Sequence, residues 1–221
     1  MNADQRKFWN SLFVPGLFVI MIWLVKAVEW IFGIDLGIYG LYPLQWKGLI
    51  GIITSPFLHA DLAHISANTI PLFVLLAMLF YFYREIAWPV FLLIWVLTNI
   101  WVWFLARDGI HIGSSGIIYG LASFLFISGI IRRDTRLMAL TLLISFLYGG
   151  MIWGIFPQLF PQMHISWESH LMGIVAGIIL AFYYRHSGPK RKVYEWEDED
   201  DDDNDNTGYP YWSEPDDTSY N

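Results

Sequence analysis

Largely apolar positions fall into six stretches separated by polar or turn-rich connections. They run over Leu12–Phe32, Leu62–Tyr83, Ala87–Leu105, Ser115–Ile131, Leu137–Phe156 and Ser166–Tyr184. A hydrocarbon layer of about 30 Å is crossed by about 20 apolar residues in a helix. Each stretch approaches that length, and the pattern predicts six membrane-crossing helices. The first stretch is too long, and too weakly flanked by small residues, for a cleaved signal peptide.

One connection departs from the polar norm. Residues 33–60 carry Tyr39, Leu41, Tyr42, Pro43, Trp46, Leu49, Ile50, Ile52 and Ile53. Aromatic residues of this kind settle at the headgroup level of a bilayer, so this loop is expected to lie partly embedded at the interface.

Composition agrees with a lipid setting: of 221 residues 56% are hydrophobic and only 15% charged, against about a quarter charged in soluble domains. The absence of cysteine excludes disulfides, thiolate nucleophiles and Cys-type metal sites. The net charge of −7 hides a division. Twelve of the 20 acidic residues lie in Glu195–Asp217, whereas the chain through Val193 holds 13 basic against 8 acidic residues. Two units follow: a mildly basic membrane domain over residues 1–187 and an acidic tail over 188–221, which cannot bury a core and is expected to be disordered.

Lys and Arg are retained on the cytoplasmic side. With the N-terminus inside, ten basic residues fall in inner segments (among them Arg6, Arg84, Arg132, Arg136 and Arg185) and only Lys47 and Arg107 in outer ones. Both termini are therefore assigned to the cytoplasm. The second, fourth and sixth stretches then begin at the outer surface. Their first turns carry His64 and Asn68, Ser115, and His170. Polar groups inside membrane spans are expensive and mark function by default, and these four share one depth.

A serine hydroxyl becomes a useful nucleophile when a base takes its proton, and a neutral His170 can do so and later return it to a leaving amine. A small-residue packing role for Ser115 is the competing interpretation, because Gly116 and Gly120, like Gly173 and Gly177, form GxxxG pairs that let helices approach closely. The two are compatible, since such an approach brings Ser115 to His170. His64 and Asn68, four apart, share a helix face and can both donate to a developing oxyanion; a structural polar cluster is the alternative. No carboxylate is placed to complete a triad: Glu168 is two residues from His170 and points off its face, and Asp61 lies in a loop. Zinc binding by His59, His64 and His170 is not expected, as no His-Glu-x-x-His occurs. His111 and His164 read as solvated loop residues. Lys26 and Glu29, three apart, read as a pair inside the bundle.

Three motifs carry a family resemblance: Gly113-Ser114-Ser115-Gly116, His170-Leu171-Met172-Gly173-Ile174-Val175-Ala176-Gly177, and Phe57-Leu58-His59 followed by His64-Ile65-Ser66-Ala67-Asn68. Together, with Phe57–Asn68 first, Gly113–Gly116 second and His170–Gly177 third along the chain, on the second, fourth and sixth helices, they make the chain resemble the rhomboid intramembrane serine proteases over about residues 10–187. The resemblance implies an all-α, six-helix transmembrane bundle with a water-filled cavity open to the outside. It implies a dyad of Ser115 and His170, an oxyanion site of His64 and Asn68, and Gly113 and Tyr119 in support, Tyr119 stacking on His170. His59 matches a structural position. Trp46-Lys47 stands where the family often has Trp-Arg, which removes a bidentate arginine. The loop over residues 157–167 is expected to cap the cavity.

The implied activity is endoproteolysis of transmembrane segments of other membrane proteins near their outer end. It needs no cofactor and no metal. The partners are substrate helices and the bilayer, not nucleic acid, and the setting is the inner membrane of a bacterium. The alternative is a catalytically silent rhomboid-like protein that binds or escorts membrane helices. A transporter would show inverted repeats, and none is evident. The substrate, the oligomeric state and the role of the tail are not legible in the chain.

Overall fold

The computed structural model describes residues 2–147 and 166–187. Among them the chain is all-helical, with seven α-helices: α1 (Ala3–Phe32), α2 (Gly51–Thr54), α3 (Leu62–Phe82), α4 (Ala87–Leu105), α5 (Ser115–Arg132), α6 (Thr135–Leu147) and α7 (Trp167–Tyr183). Four of them, α1, α3, α4 and α5, are long and apolar enough to cross a membrane; α6 and α7 are shorter apolar helices. The chain is a multi-pass membrane protein. The expected cap over residues 157–167, apart from Ser166 and Trp167, lies outside the described residues, as do His164 and the acidic tail.

The helices begin where the local chemistry allows. The first starts well before its apolar stretch because Asn2 and Gln5 form a reciprocal capping box, which satisfies two otherwise unpaired helix-end donors. Asp61 caps α3 by accepting from the His64 N–H at 2.7 Å. Gly33, in the left-handed region at φ 62°, ends α1.

Packing is centred on α5, which meets α3, α4, α6 and most extensively α7. Lipid is as apolar as Leu, so shape and small residues must bring such helices together. Gly173 and Gly177 of α7 face Gly116 and Gly120 of α5; a Cβ on either would fall 2.1 Å from the carbonyl oxygen of Gly116 or Gly120 respectively. At the same contact the Ser123 hydroxyl donates to the Ile174 carbonyl at 3.1 Å. The remaining core is Leu72, Leu75, Leu76 and Leu79 of α3 with Ile94, Ile117, Leu121 and Phe124. Large apolar side chains such as Trp30, Phe104, Phe146 and Tyr183 stay exposed, as suits helices facing lipid.

The first loop is a folded object. Three 3₁₀ turns (Leu36–Tyr39, Trp46–Ile50, Ser55–Phe57) and α2 make up much of it. Helix α4 holds it through side chains: Trp95 Nε1 donates to Ile52 O (3.0 Å), Trp103 Nε1 to Gln45 O (3.1 Å), and Asn99 Oδ1 accepts from Ser55 Oγ (3.2 Å). Leu41 and His111 exchange backbone hydrogen bonds of 3.0 and 2.9 Å. Lys26 and Glu29 pair at 3.0 Å, and Lys26 Nζ also donates to the His59 and Ala60 carbonyls. That pair ties α1 to the approach to α3. Trp46 remains 84% exposed, and Lys47 lies 4.3 Å over the Tyr42 ring.

Candidate active site

Ser115 is the first residue of α5, and the backbone before it explains its presentation. Gly113 adopts φ 111°, which side chains disfavour, and a Cβ there would fall 2.8 Å from the His64 ring and 3.6 Å from Asn68 Nδ2. Glycine is thus favoured twice: by conformation, and because the His64 ring lies directly against this turn. The Gly113 N–H donates to Ser55 O at 2.9 Å, anchoring the turn to the first loop. The first N–H groups of a helix lack intrahelical partners, so the start of α5 offers donors beside the Ser115 hydroxyl.

Ser115 Oγ and His170 Nε2 are 2.9 Å apart. With Nε2 unprotonated, the hydroxyl donates to it, the arrangement a general base needs. The Tyr119 ring stacks on the His170 imidazole with centroids 4.1 Å apart and planes inclined by 18°. His170 is buried and Ser115 half-buried, so the reacting atoms lie below the surface without being sealed.

Asn68 is 6% exposed, and its Nδ2 has no hydrogen-bond partner among the described residues. A buried donor left unpaired is unfavourable by about 1–3 kcal/mol, and at a reaction site such a group is available to an incoming acceptor. His64 packs edge-on against His59 at 5.0 Å. His59 Nε2 lies 3.5 Å from Ser114 Oγ, and burial, followed by the neighbouring His64, pushes the His59 pKa down to about 3. His59 is a neutral support beneath the turn, and Ser114 is fully buried beside it.

The structure therefore brings together Ser115, His170, Tyr119, His64, Asn68 and Gly113. Among the described residues no three of His, Cys, Asp or Glu are grouped so as to hold a metal.

One residue differs from its sequence expectation, and a second makes a contact the sequence does not show. His111 is not a solvated loop residue: it is 4% exposed, with Nδ1 2.6 Å from Ser166 Oγ and Nε2 donating to the Arg107 carbonyl at 3.0 Å. Its backbone also pairs with Leu41. Glu168 does point off the His170 face, but it is buried and paired with Arg107 at 3.1 Å. Sequence spacing cannot show either contact, since each joins a loop to a distant helix start.

Comparison with known proteins agrees with the geometry. The family model described as Rhomboid domain matches residues 46–187. An uncharacterized protein of Mycobacterium tuberculosis is 36% identical over 182 residues, covering 79% of this chain and 75% of the relative. An uncharacterized protein of Mycobacterium leprae is 33% identical over 210 residues, covering 86% and 78%. The chain belongs to the rhomboid family.

Proposed function

We propose that this protein is an intramembrane serine endopeptidase that cuts transmembrane segments of other membrane proteins near their outer end. The observation that carries this reading is the 2.9 Å contact between Ser115 Oγ and His170 Nε2 in a chain of the rhomboid family. In this reading α1, α3, α4, α5, a fifth span beginning at α6, and α7 make six spans, with both termini cytoplasmic, in the inner membrane of a bacterium. Residues 188–221 form a separate cytoplasmic tail.

The chemistry follows from the residues. Ser115 Oγ attacks the scissile carbonyl carbon as its proton passes to His170 Nε2. The oxyanion is held by donors from the Ser115 N–H, Asn68 Nδ2 and His64; preorganised donors of this kind supply the largest single share of many rate enhancements. The tetrahedral species collapses as His170 returns the proton to the leaving amine, giving an acyl-enzyme and the first product. Water, deprotonated by His170, attacks the ester, and Ser115 regains its proton as the second product leaves. Tyr119 holds the imidazole plane throughout.

The test is covalent labelling of the purified, detergent-solubilised protein with a fluorophosphonate. Wild type is expected to be labelled and Ser115→Ala to lose the label, whereas Ser114→Ala keeps most of it. Equal labelling of Ser115→Ala defeats the assignment. An unlabelled wild type that still captures membrane helices is the outcome expected of a catalytically silent relative.

A further inference from the structure

The segment between α4 and α5 delivers Ser115, and it also grips the start of the helix that carries His170. Its own position is fixed on two sides, by the Leu41–His111 backbone pair and by the Gly113 N–H on Ser55 O. From it, two ties reach α7. Arg107 Nε lies 3.1 Å from Glu168 Oε1. His111 Nδ1 lies 2.6 Å from Ser166 Oγ, which in turn lies 2.6 Å from Ser169 Oγ, the residue before His170. Because His111 Nε2 donates to the Arg107 carbonyl, a neutral His111 accepts from Ser166, and Ser166 accepts from Ser169. The two ties are thus joined through Arg107.

We infer that Glu168, held by Arg107, is a positioning residue that sets where α7 begins relative to Ser115, and so where His170 meets the hydroxyl. This rests on the protease reading above. Three observations support it. The Glu168 side chain is only 5% exposed while that of Arg107 is 57% exposed, so the buried carboxylate depends on a partner reaching in from the loop; a buried charge without one is strongly disfavoured. Second, Ser166, at the N-cap of α7, makes no capping hydrogen bond of its own, its hydroxyl being engaged with His111 and Ser169. The helix start is therefore held from outside. Third, residues two apart on a helix are about 200° apart around its axis, so a tether on Glu168 sets the rotation of His170 on the opposite side. The glycine faces of α5 and α7 fix how close the helices come; a smooth glycine surface restrains sliding and rotation less, and the ties at the helix start supply that restraint.

The pair is electrostatic, since neither Glu168 oxygen accepts an aligned hydrogen bond among the described residues. A lysine at 107 should therefore replace arginine in large part.

The experiment compares the rate of Ser115 labelling by a fluorophosphonate in the full chain for wild type, Arg107→Ala, Arg107→Lys and Glu168→Gln, normalised to the folded fraction in each sample. A displacement of about 1 Å at a reacting pair can lower a rate about 10²-fold. Arg107→Ala and Glu168→Gln are expected to label 10- to 100-fold more slowly, and Arg107→Lys to recover most of the loss. For a cleaved substrate the fall should be in kcat, with KM little changed. Arg107→Lys keeps the positive charge that the buried Glu168 carboxylate needs, so its labelling rate against wild type tests the inference even if Arg107→Ala or Glu168→Gln folds poorly. Arg107→Ala labelling within about twofold of wild type, a deficit that vanishes on normalisation, or Arg107→Lys as slow as Arg107→Ala would each overturn the inference. Failure of wild type itself to be labelled would instead defeat the dyad, which keeps the two failures apart.

Discussion

A Cβ placed on Gly173 would stand 2.1 Å from the carbonyl oxygen of Gly116, so α5 and α7 touch backbone to backbone one residue past Ser115. The distance from Ser115 to His170 depends on that contact. Gly173→Ala must push the helices apart; overpacking of this kind typically costs about 1–3 kcal/mol. The expected outcome is a lower unfolding midpoint in detergent together with a labelling rate that falls further than the loss of folded protein explains. A Gly173→Ala variant labelled at the wild-type rate would mean that this contact does not set the dyad distance.

His170 works as a base only when neutral, and histidine is the side chain whose ordinary titration falls in the physiological range. His170→Ala is expected to reduce cleavage to background while the bundle stays folded. In wild type the initial rate should fall as pH drops from about 8 to 5 and return when the pH is restored. A flat profile over that range would remove His170 from the role of base.

Acid should also act on stability, through a different histidine. The His59 pKa is lowered from 6.5 to about 3 by burial and then by His64. Between those values the unfolded chain binds a proton that the native protein refuses. The stabilisation is therefore complete above pH 6.5 and is lost progressively as pH falls towards 3. The unfolding midpoint should drop over this window, and His59→Gln should flatten the drop while keeping the reversible rate loss assigned to His170. An equal slope in His59→Gln would show that other groups carry the acid sensitivity.

The oxyanion donors make a graded prediction. Removing one such donor typically costs about 10²–10³ in rate. Asn68→Ala should be slowed by that order and remain folded, since it removes a buried amide with no described partner for Nδ2. His64→Ala should be similar. Gly113→Ala should lose the His64 donor, because its Cβ would displace the His64 ring and the residue would be held at φ 111°. Wild-type rates in both Asn68→Ala and His64→Ala would make the pair structural.

Some of this was legible in the chain because local spacing carries it. Asn68 follows His64 by one helical turn; the stacking of Tyr119 on His170, by contrast, is what the resemblance to rhomboids implies. Gly173 and Gly177 mark a helix that can be approached closely, and Lys26 and Glu29 read as a pair at i,i+3. What spacing cannot carry is the burial of loop residues. His111 has the sequence surroundings of a solvated histidine, but its backbone pairs with Leu41, 70 residues away by number, and its ring meets Ser166 and the Arg107 carbonyl. Glu168 was recognisable as facing away from His170, but not as bound to Arg107. Hydrophobicity also misplaced the start of α1, because apolarity marks the part of a helix that suits lipid whereas capping by Asn2 marks its end.

The last prediction concerns which bond is cut. Ser115 sits in the first turn of α5, at the outer end of that helix in the proposed topology, so the scissile bond must come to that level. A peptide bond within a stable membrane helix has its backbone groups hydrogen-bonded internally, and lipid offers no other partners. Ser115 Oγ can reach a carbonyl carbon only after the substrate helix unwinds locally. Gly and Pro, worth about 1 and 3 kcal/mol against a helix interior relative to Ala, ease that step when they lie near the outer end of the substrate. Replacing them with Leu should therefore slow cleavage, and introducing them into a resistant segment should permit it. Mass spectrometry of the products from a reconstituted substrate locates the cut. Cleavage at the cytoplasmic end of the substrate helix would contradict the topology, and a rate indifferent to helix breakers would contradict the requirement for unwinding.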